Sequence, residues 1–388
     1  MQEIKNAIGD ITIKLWGSVY NQNLLELYDT LGVDFVKYID GDFALVLQDK
    51  RTNTMVVSVD AFASKPLWIE HAENDTINVF DYPAPGTDHK VKPNTFMVWH
   101  NGYFGKGSSF SASTIYDWDL TQNVNTYDKW IEAFEESIAK RTKDVGDQLF
   151  SGLSSGYDSG AIACELKKQN IPFDAYTLMA NENMDVVNAR HLLHTHCDML
   201  QLTESEYKQY RLRVMDEGVG YTNTINHYAD GEKIAEADYD YRLDKASAGD
   251  AFICRFAECN AKSIMLSGQG SDEIISDYGW AGRQRYSQSQ LGGYFPNNLS
   301  TVFPYGNFDK GTMDAYIAKT EFIGRLYGIE ARYPYLDVDL VQEFLHLTPE
   351  LKNIHYKAPL HEYFQRNNYP YDDGIKKGFR ANCNLLPG

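Results

Sequence analysis

Hydrophobic and polar positions change their rhythm along the chain. Ile11, Ile13 and Leu15 alternate with Thr12 and Lys14, the period of a half-buried strand. Residues 23–31 carry apolar side chains at helical spacing. Residues 43–47 and 55–59 read as two buried strands joined by the polar turn 49–53. Together they predict a small α+β unit. Apolar periodicity thins over 105–125, where Gly105, Gly107, Ser108, Ser109, Ser111 and Ser113 suggest a connection between domains. Trp130, Phe134 and Ile138 then recur every four residues, as on one face of a helix. A second rhythm follows: strand 149–153, a helix through Ala161, Ile162, Cys164 and Leu166, strand 175–179, helix 184–194, helix 252–259 and strand 263–266. Strands alternating with helices predict a parallel sheet, in which ligands bind beyond the carboxyl ends of the strands. The polar stretch 204–250 gives no clear period, and from Thr312 the pattern is mostly helical up to the polar tail 372–388. Neither an internal repeat nor a low-complexity segment is present.

Two of these strands end in turns with chemical content. Leu153 leads into Ser154, Ser155, Gly156, Tyr157, Asp158 and Ser159, small residues that let backbone N–H groups approach an anion just where a helix begins. The positive end of a helix dipole makes such a turn a phosphate or pyrophosphate site. An ordinary strand–turn–helix connection is the alternative. The second turn runs through Ser267, Gly268, Gln269, Gly270, Ser271, Asp272 and Glu273. If both strands share a sheet, Asp158 and Asp272 face each other across a nucleotide and share Mg²⁺, a hard ion suited to carboxylate and phosphate oxygens. Taken singly, either aspartate is more commonly a turn or cap residue.

Composition narrows the choices. The 388 residues suffice for two domains, and 43% hydrophobic with 23% charged residues is globular. A formal charge of −18 argues against nucleic acid or an anionic membrane surface as partner. Five scattered cysteines without a CxxC pair predict free thiols in a reducing, cytoplasmic setting rather than disulfides or zinc. No apolar run is long enough to span a membrane. His191, His194 and His196 do not share a helical face and read as surface or packing residues.

Several separated motifs resemble the asparagine synthetase family, whose synthetase domain is an N-type ATP pyrophosphatase. The family's Ser-Gly-Gly-x-Asp-Ser loop is similar to 154–159, and its Ser-Gly-Glu-Gly-Ala-Asp-Glu turn to 267–273. Its Glu-x-Arg-x-Pro-(Phe/Tyr)-Leu-Asp motif is similar to 330–337, and its Lys-x-Gly-Phe to Lys376, Lys377, Gly378 and Phe379. These motifs keep order and spacing over about 230 residues. The N-terminal unit resembles the family's glutaminase domain through Gly41, Asp42, Phe43, Ala44, Asp49, Asp60, Lys65, Pro66 and Leu67. A family glutaminase uses a cysteine after the initiator methionine, where this sequence has Gln2, so the expectation is a truncated unit without glutamine hydrolysis.

The resemblance implies an α/β, parallel-sheet ATP pyrophosphatase (adenine nucleotide alpha hydrolase-like) domain over 111–388 with a helical C-terminal part. It also implies a small α+β, Ntn-hydrolase-like remnant over 1–110. It implies an ATP- and Mg²⁺-dependent ligase that adenylates a small-molecule or peptide carboxylate and passes it to ammonia or an amine, with a homodimer compatible. Leu153 to Ser159, Ser267, Gly268 and Gly270 would hold ATP, with Asp158 and Asp272 on Mg²⁺. Lys376 would stabilise the developing charge, Lys377 being the fallback and a surface lysine pair the alternative. Met179 would wall the adenine pocket, or is plain core. Two departures are visible. Ser155 replaces a family glycine. Gln269 stands where asparagine synthetases carry glutamate and β-lactam synthetases tyrosine, and an amide takes up no proton. Glu321 and Glu330 are candidates for that work, or structural ion-pair partners. Gln269 favours a specialised ligase or cyclase over aspartate amidation. Ammonia-dependent asparagine synthesis and a non-catalytic nucleotide-binding scaffold are the alternatives. A tRNA-modifying or NAD-forming relative lacks support from the charge and the second turn.

Overall fold

The computed structural model describes residues 1–20, 22–72, 76–84, 89–101 and 109–373. The chain divides into two compact units, Met1–Trp118 and Asp119–Gly388.

In the first unit, strands β1 (Gln2–Lys5), β2 (Ile11–Val19), β3 (Gly41–Asp49), β4 (Thr54–Val59), β8 (Thr95–His100) and β9 (Ser109–Thr114) form an antiparallel sheet in the order β1-β2-β3-β4-β8-β9. Helix α1 (Leu24–Leu31) lies between β2 and β3 in sequence. Strands β5 (Trp68–Ala72), β6 (Thr76–Phe80) and β7 (His89–Lys90) make a second, small sheet. Alternation sorts the side chains. Phe43, Leu45 and Leu47 join Leu24, Tyr28 and Phe35 in one core, while Ala44 and Val46 join Val57, Leu67 and Ile69 in another. Asp60 is buried just after β4, accepting from the N–H groups of Phe43, Phe62 and Ser64. Part of the expected connection 105–125 is strand β9, whose side chains are all exposed. An edge strand recruited by main-chain hydrogen bonds leaves no apolar alternation to read.

The second unit opens with α2 (Asp128–Thr142), whose Trp130, Phe134 and Ile138 are buried as expected. Strand β10 (Leu149–Gly152) is followed by α3 (Tyr157–Lys168), β11 (Asp174–Leu178), α4 (Met184–His191) and β12 (Cys197–Leu200). The unassigned stretch holds α5 (Glu204–Glu217), a hairpin of β13 (Thr222–Ala229) and β14 (Glu232–Asp240), and the start of α6 (Lys245–Cys259). The exposed face of β14 explains the missing signal. Then come β15 (Ile264–Leu266), a short hairpin β16 (Gly279–Trp280) and β17 (Arg283–Gln284), α7 (Thr312–Leu326), β18 (Glu330–Arg332), α8 (Val338–His346), α9 (Pro349–Asn353) and α10 (Ala358–Asn367). Strands β12-β11-β10-β15-β18 pair in that order, all parallel. β10 therefore has β11 on one side and β15 on the other, so connections leave it in opposite directions. Such a switch point opens a crevice at the carboxyl ends of the strands. Cys164, Cys197, Cys254 and Cys259 are free thiols, and no helix among the described residues is long and apolar enough to cross a membrane.

Candidate active site

The turn after β10 is held open from within. Ser159 Oγ accepts from the Ser154 N–H (3.0 Å), and Ser154 Oγ accepts from the Gly156 N–H (3.1 Å), drawing the turn around the start of α3. Arg190, fully buried, donates to the carbonyls of Ser154 and Gly156, so the loop's oxygens are held as well as its N–H groups. Gly160 makes room for that guanidinium, since a methyl there would lie 2.4 Å from it. Ser155 donates its N–H and hydroxyl to Glu182 Oε2 at 2.6 and 2.5 Å. A carboxylate thus occupies the donors that sequence alone assigned to a phosphate.

The turn after β15 packs against the first. A Cβ at Gly268 would meet Asp158 Cβ at 3.0 Å, and Gly270 has φ of +91° with Leu336 closing over it. Only glycine meets both demands at Gly270. Ser271 Oγ donates to Asp158 Oδ1 (2.7 Å), and Glu273 accepts from the Gly270 N–H and the Tyr278 hydroxyl. The turn after β18 supplies Tyr335, whose hydroxyl donates to the Asp158 carbonyl (2.8 Å). It also supplies Asp337, paired with Arg141 (2.8 Å) and Lys140 (2.6 Å). Burial alone would raise the Asp337 pKa, but the two cations outweigh it and hold the carboxyl below its ordinary value.

At the centre stands a residue the sequence reading missed. Lys357, buried just before α10, places its Nζ against Asp158 Oδ1 and 2.8 Å from Asp272 Oδ1. Burial would lower its pKa, but the two aspartates outweigh it and keep the ammonium charged, above the ordinary lysine value. Its backbone is left-handed, φ +48°, a conformation costing a non-glycine residue about 1–3 kcal/mol. The only sequence signal was Pro359, which marks the start of α10 and so a lysine at a helix N-terminus.

These turns border a cavity of about 500 Å³. Of the expected residues, Leu153, Ser154, Gly156, Asp158, Ser159, Ser267, Gly268, Gln269 and Asp272 line it. Ser155 faces Glu182; Tyr157 packs on Tyr356, Phe364 and Tyr371; Gly270 lies under Leu336. Met179 is not among the lining residues, whereas Tyr176 and Leu178 from the same strand are. Glu321 accepts from the Tyr333 hydroxyl (2.6 Å) and Glu330 from Arg332 (2.8 Å), both away from the lining. Lys376 and Lys377 lie outside the described residues. His191 bonds Thr177 and His194 bonds Tyr369, with burial lowering the His194 pKa to about 4. Asp158 and Asp272 bring their Oδ1 atoms to one point, where the Lys357 ammonium sits; carboxylate oxygens are the donor type that suits Mg²⁺. Among the described residues, His355, His361 and Asp373 also bring three ligand atoms within 4.8 Å of one another.

Comparison with known proteins fits this geometry. Residues 5–80 match the glutamine amidotransferase domain family, and residues 129–321 match the asparagine synthase family, a span that includes both Gly/Ser turns. The chain belongs to the asparagine synthetase family. It is 24% identical over 359 residues to the glutamine-hydrolysing asparagine synthetase of Triphysaria versicolor, covering 85% of this chain and 54% of that protein. The enzyme of the same name from Asparagus officinalis is 24% identical over 399 residues, covering 91% and 60%. This chain thus spans little more than half the length of these family members. Among solved structures, NMN synthetase from Francisella tularensis covers 64% of this chain and 99% of its own at 11% identity and TM-score 0.26. The U34-tRNA thiolase NcsA from Methanococcus maripaludis covers 63% and 80% at 15% identity and TM-score 0.24. Likenesses that low have no bearing on the site.

Proposed function

We propose that this family member is an ATP-dependent, AMP-forming carbon–nitrogen ligase that adenylates a carboxylate and passes the acyl group to ammonia or an amine. The observation carrying the reading is the convergence of three strand-end turns on Asp158, Lys357 and Asp272 at the edge of one cavity. Ser154, Gly156, Ser159 and the first turn of α3 would receive the pyrophosphate oxygens of ATP. Asp158 and Asp272 would hold Mg²⁺, which when bound offsets charge on the phosphates. Lys357 keeps the two aspartates from repelling each other, so the turns stay together whether or not substrate is bound. In the first step a carboxylate oxygen attacks the α-phosphorus, and the bond to the bridging oxygen breaks as pyrophosphate leaves. In the second, nitrogen attacks the acyl carbon and AMP leaves.

Gln269 lines the cavity and can orient the carboxylate through its amide without taking a proton. We keep Lys376 as the candidate to meet the charge developing on pyrophosphate. We take ammonia or an amine as the nitrogen that attacks the acyl carbon. The test is ATP/pyrophosphate exchange by the full chain with a panel of amino-acid, dicarboxylic-acid and peptide carboxylates. Exchange with at least one is expected; a folded protein that exchanges with none contradicts the reading.

A further inference from the structure

The cavity wall is unbalanced in charge. Its lining carries Asp158, Glu182, Asp244, Asp250, Asp272 and Glu273 against one lysine, Lys319. Four of the six acids already have donors: Asp158 and Asp272 have Lys357, Glu182 has Ser155, and Glu273 has Gly270 and Tyr278. That leaves Asp244 and Asp250, which share Lys319 at 3.5 and 3.2 Å. They differ in what else they hold. Asp244 caps α6 through the Ala246 N–H (2.9 Å) and accepts the Tyr239 hydroxyl (2.7 Å). Asp250 has Lys319 as its one charged partner among the described residues, and its side chain is 32% exposed, opening into the cavity. A carboxylate can accept about four hydrogen bonds, so Asp250 has capacity left for a donor from outside.

The helices build a pocket around that capacity. α6 turns Ala246, Asp250, Ile253 and Cys254 toward the cavity, at spacings of four, seven and eight. α7 turns Tyr316, Lys319, Thr320 and Ile323 toward it, at three, four and seven. One end of the facing stripes is thus acidic and aromatic, the other apolar. A second carboxylate bound on Lys319 would meet two aspartates already there, and like charges at such range repel. An ammonium group meets the reverse: net negative charge and the remaining acceptor capacity of Asp250, beside Tyr316, whose ring lies 5.4 Å from the Lys319 ammonium.

We infer that Asp250, with Asp244, Lys319 and Tyr316, forms the subsite for the attacking nitrogen, and that the acyl acceptor is a primary amine on a carbon skeleton, bound as its ammonium ion. This rests on the adenylation reading and names the second substrate of that site. In the transfer, the ammonium gives one proton to Asp250 and its lone pair attacks the acyl carbon. A second N–H proton is lost as the carbon–oxygen bond to the phosphate breaks, leaving an amide, AMP and two protons in all. Enclosure raises the Asp250 carboxyl above its ordinary range despite Lys319, which suits a temporary proton holder.

The test uses the full chain and separates binding from adenylation. Calorimetric titration with n-propylammonium and glycinamide, with acetamide as the neutral comparison, is expected to show binding of the amines only. Asp250→Asn is expected to weaken amine binding at least about tenfold, the loss of one charge-assisted contact, with Asp250→Glu restoring most of it. ATP/pyrophosphate exchange, which needs no amine, is measured alongside in each variant and reads the adenylation step separately from amine binding. Unchanged amine affinity in Asp250→Asn, or wild type that binds acetamide as well as the amines or binds no amine, overturns the inference. Amine binding that follows Asp250 in a protein with no exchange overturns the adenylation step and leaves the cation subsite standing.

Discussion

At the scale of single residues, the site is governed by which buried charge faces which. Lys357 answers Asp158 and Asp272, Lys319 answers Asp244 and Asp250, and Glu182 fills the donors of Ser155. On the proposed reading Glu182 opposes ligand binding, because an incoming pyrophosphate would compete with a carboxylate already in place. Glu182→Gln keeps an acceptor for Ser155 while removing the charge. It is therefore expected to tighten pyrophosphate binding several-fold, consistent with about 1 kcal/mol for one hydrogen-bonding contact, read by titration with Mg²⁺ present. Weaker binding would show that Glu182 shapes the turn instead. Both aspartates were legible in the sequence because strand–turn–helix punctuation announces them. Lys357 was not, because a lysine is read as a solvated side chain unless something marks its burial, and its two partners lie 199 and 85 positions away. Glu321 and Glu330 were weighed as bases by sequence neighbourhood alone, and the structure gives them Tyr333 and Arg332 instead of a place on the lining.

At the scale of elements, the turns are positioned by what packs beneath them. α3 approaches α4 closely enough that Arg190 reaches under Gly160 to the loop carbonyls. Gly160→Ala is expected to push the guanidinium off those carbonyls, costing about 1–3 kcal/mol in chemical denaturation and weakening nucleotide binding with it. Lys352 in α9 makes a second, independent prediction. It is buried, its ammonium has only neutral acceptors among the described residues, Gln122 (2.6 Å) and the Leu345 carbonyl (2.8 Å), and burial lowers its pKa to about 7. Between that value and the ordinary lysine value of 10.5 the unfolded chain binds more protons than the folded one. Stability should therefore rise with pH across that window, and Lys352→Met should flatten the rise in thermal melts. Long periodic elements such as α2 were readable, whereas β18 was not: three residues with only Ala331 fully buried give no alternation. β14 and β9 were hidden for the related reason that exposed strands carry polar sequences.

At the scale of the whole molecule, the order of parallel strands turns a one-dimensional sequence into a site. Residues far apart in the chain, Asp158 with Ser271 and Tyr335 and Gly270 with Leu336, meet because β10 and β15 are neighbours in the sheet and β18 follows at its edge. The alternation of strands and helices made that sheet predictable. The registers that bring Ser271 to Asp158, and α10 to both, come from packing and are written in no local pattern. The charge of −18 fits the same picture: a cavity rich in carboxylates favours cationic ligands, which on the proposed reading are Mg²⁺ with ATP and an ammonium group at Asp250. The most direct test of the central claim is ATP/pyrophosphate exchange by Asp272→Asn beside wild type, with circular dichroism confirming the fold. The substitution keeps side-chain shape and leaves Lys357 paired with Asp158. A fall of about 10²–10³ in exchange rate is the predicted result, the usual scale for losing one preorganised electrostatic group. Exchange at the wild-type rate would contradict the account.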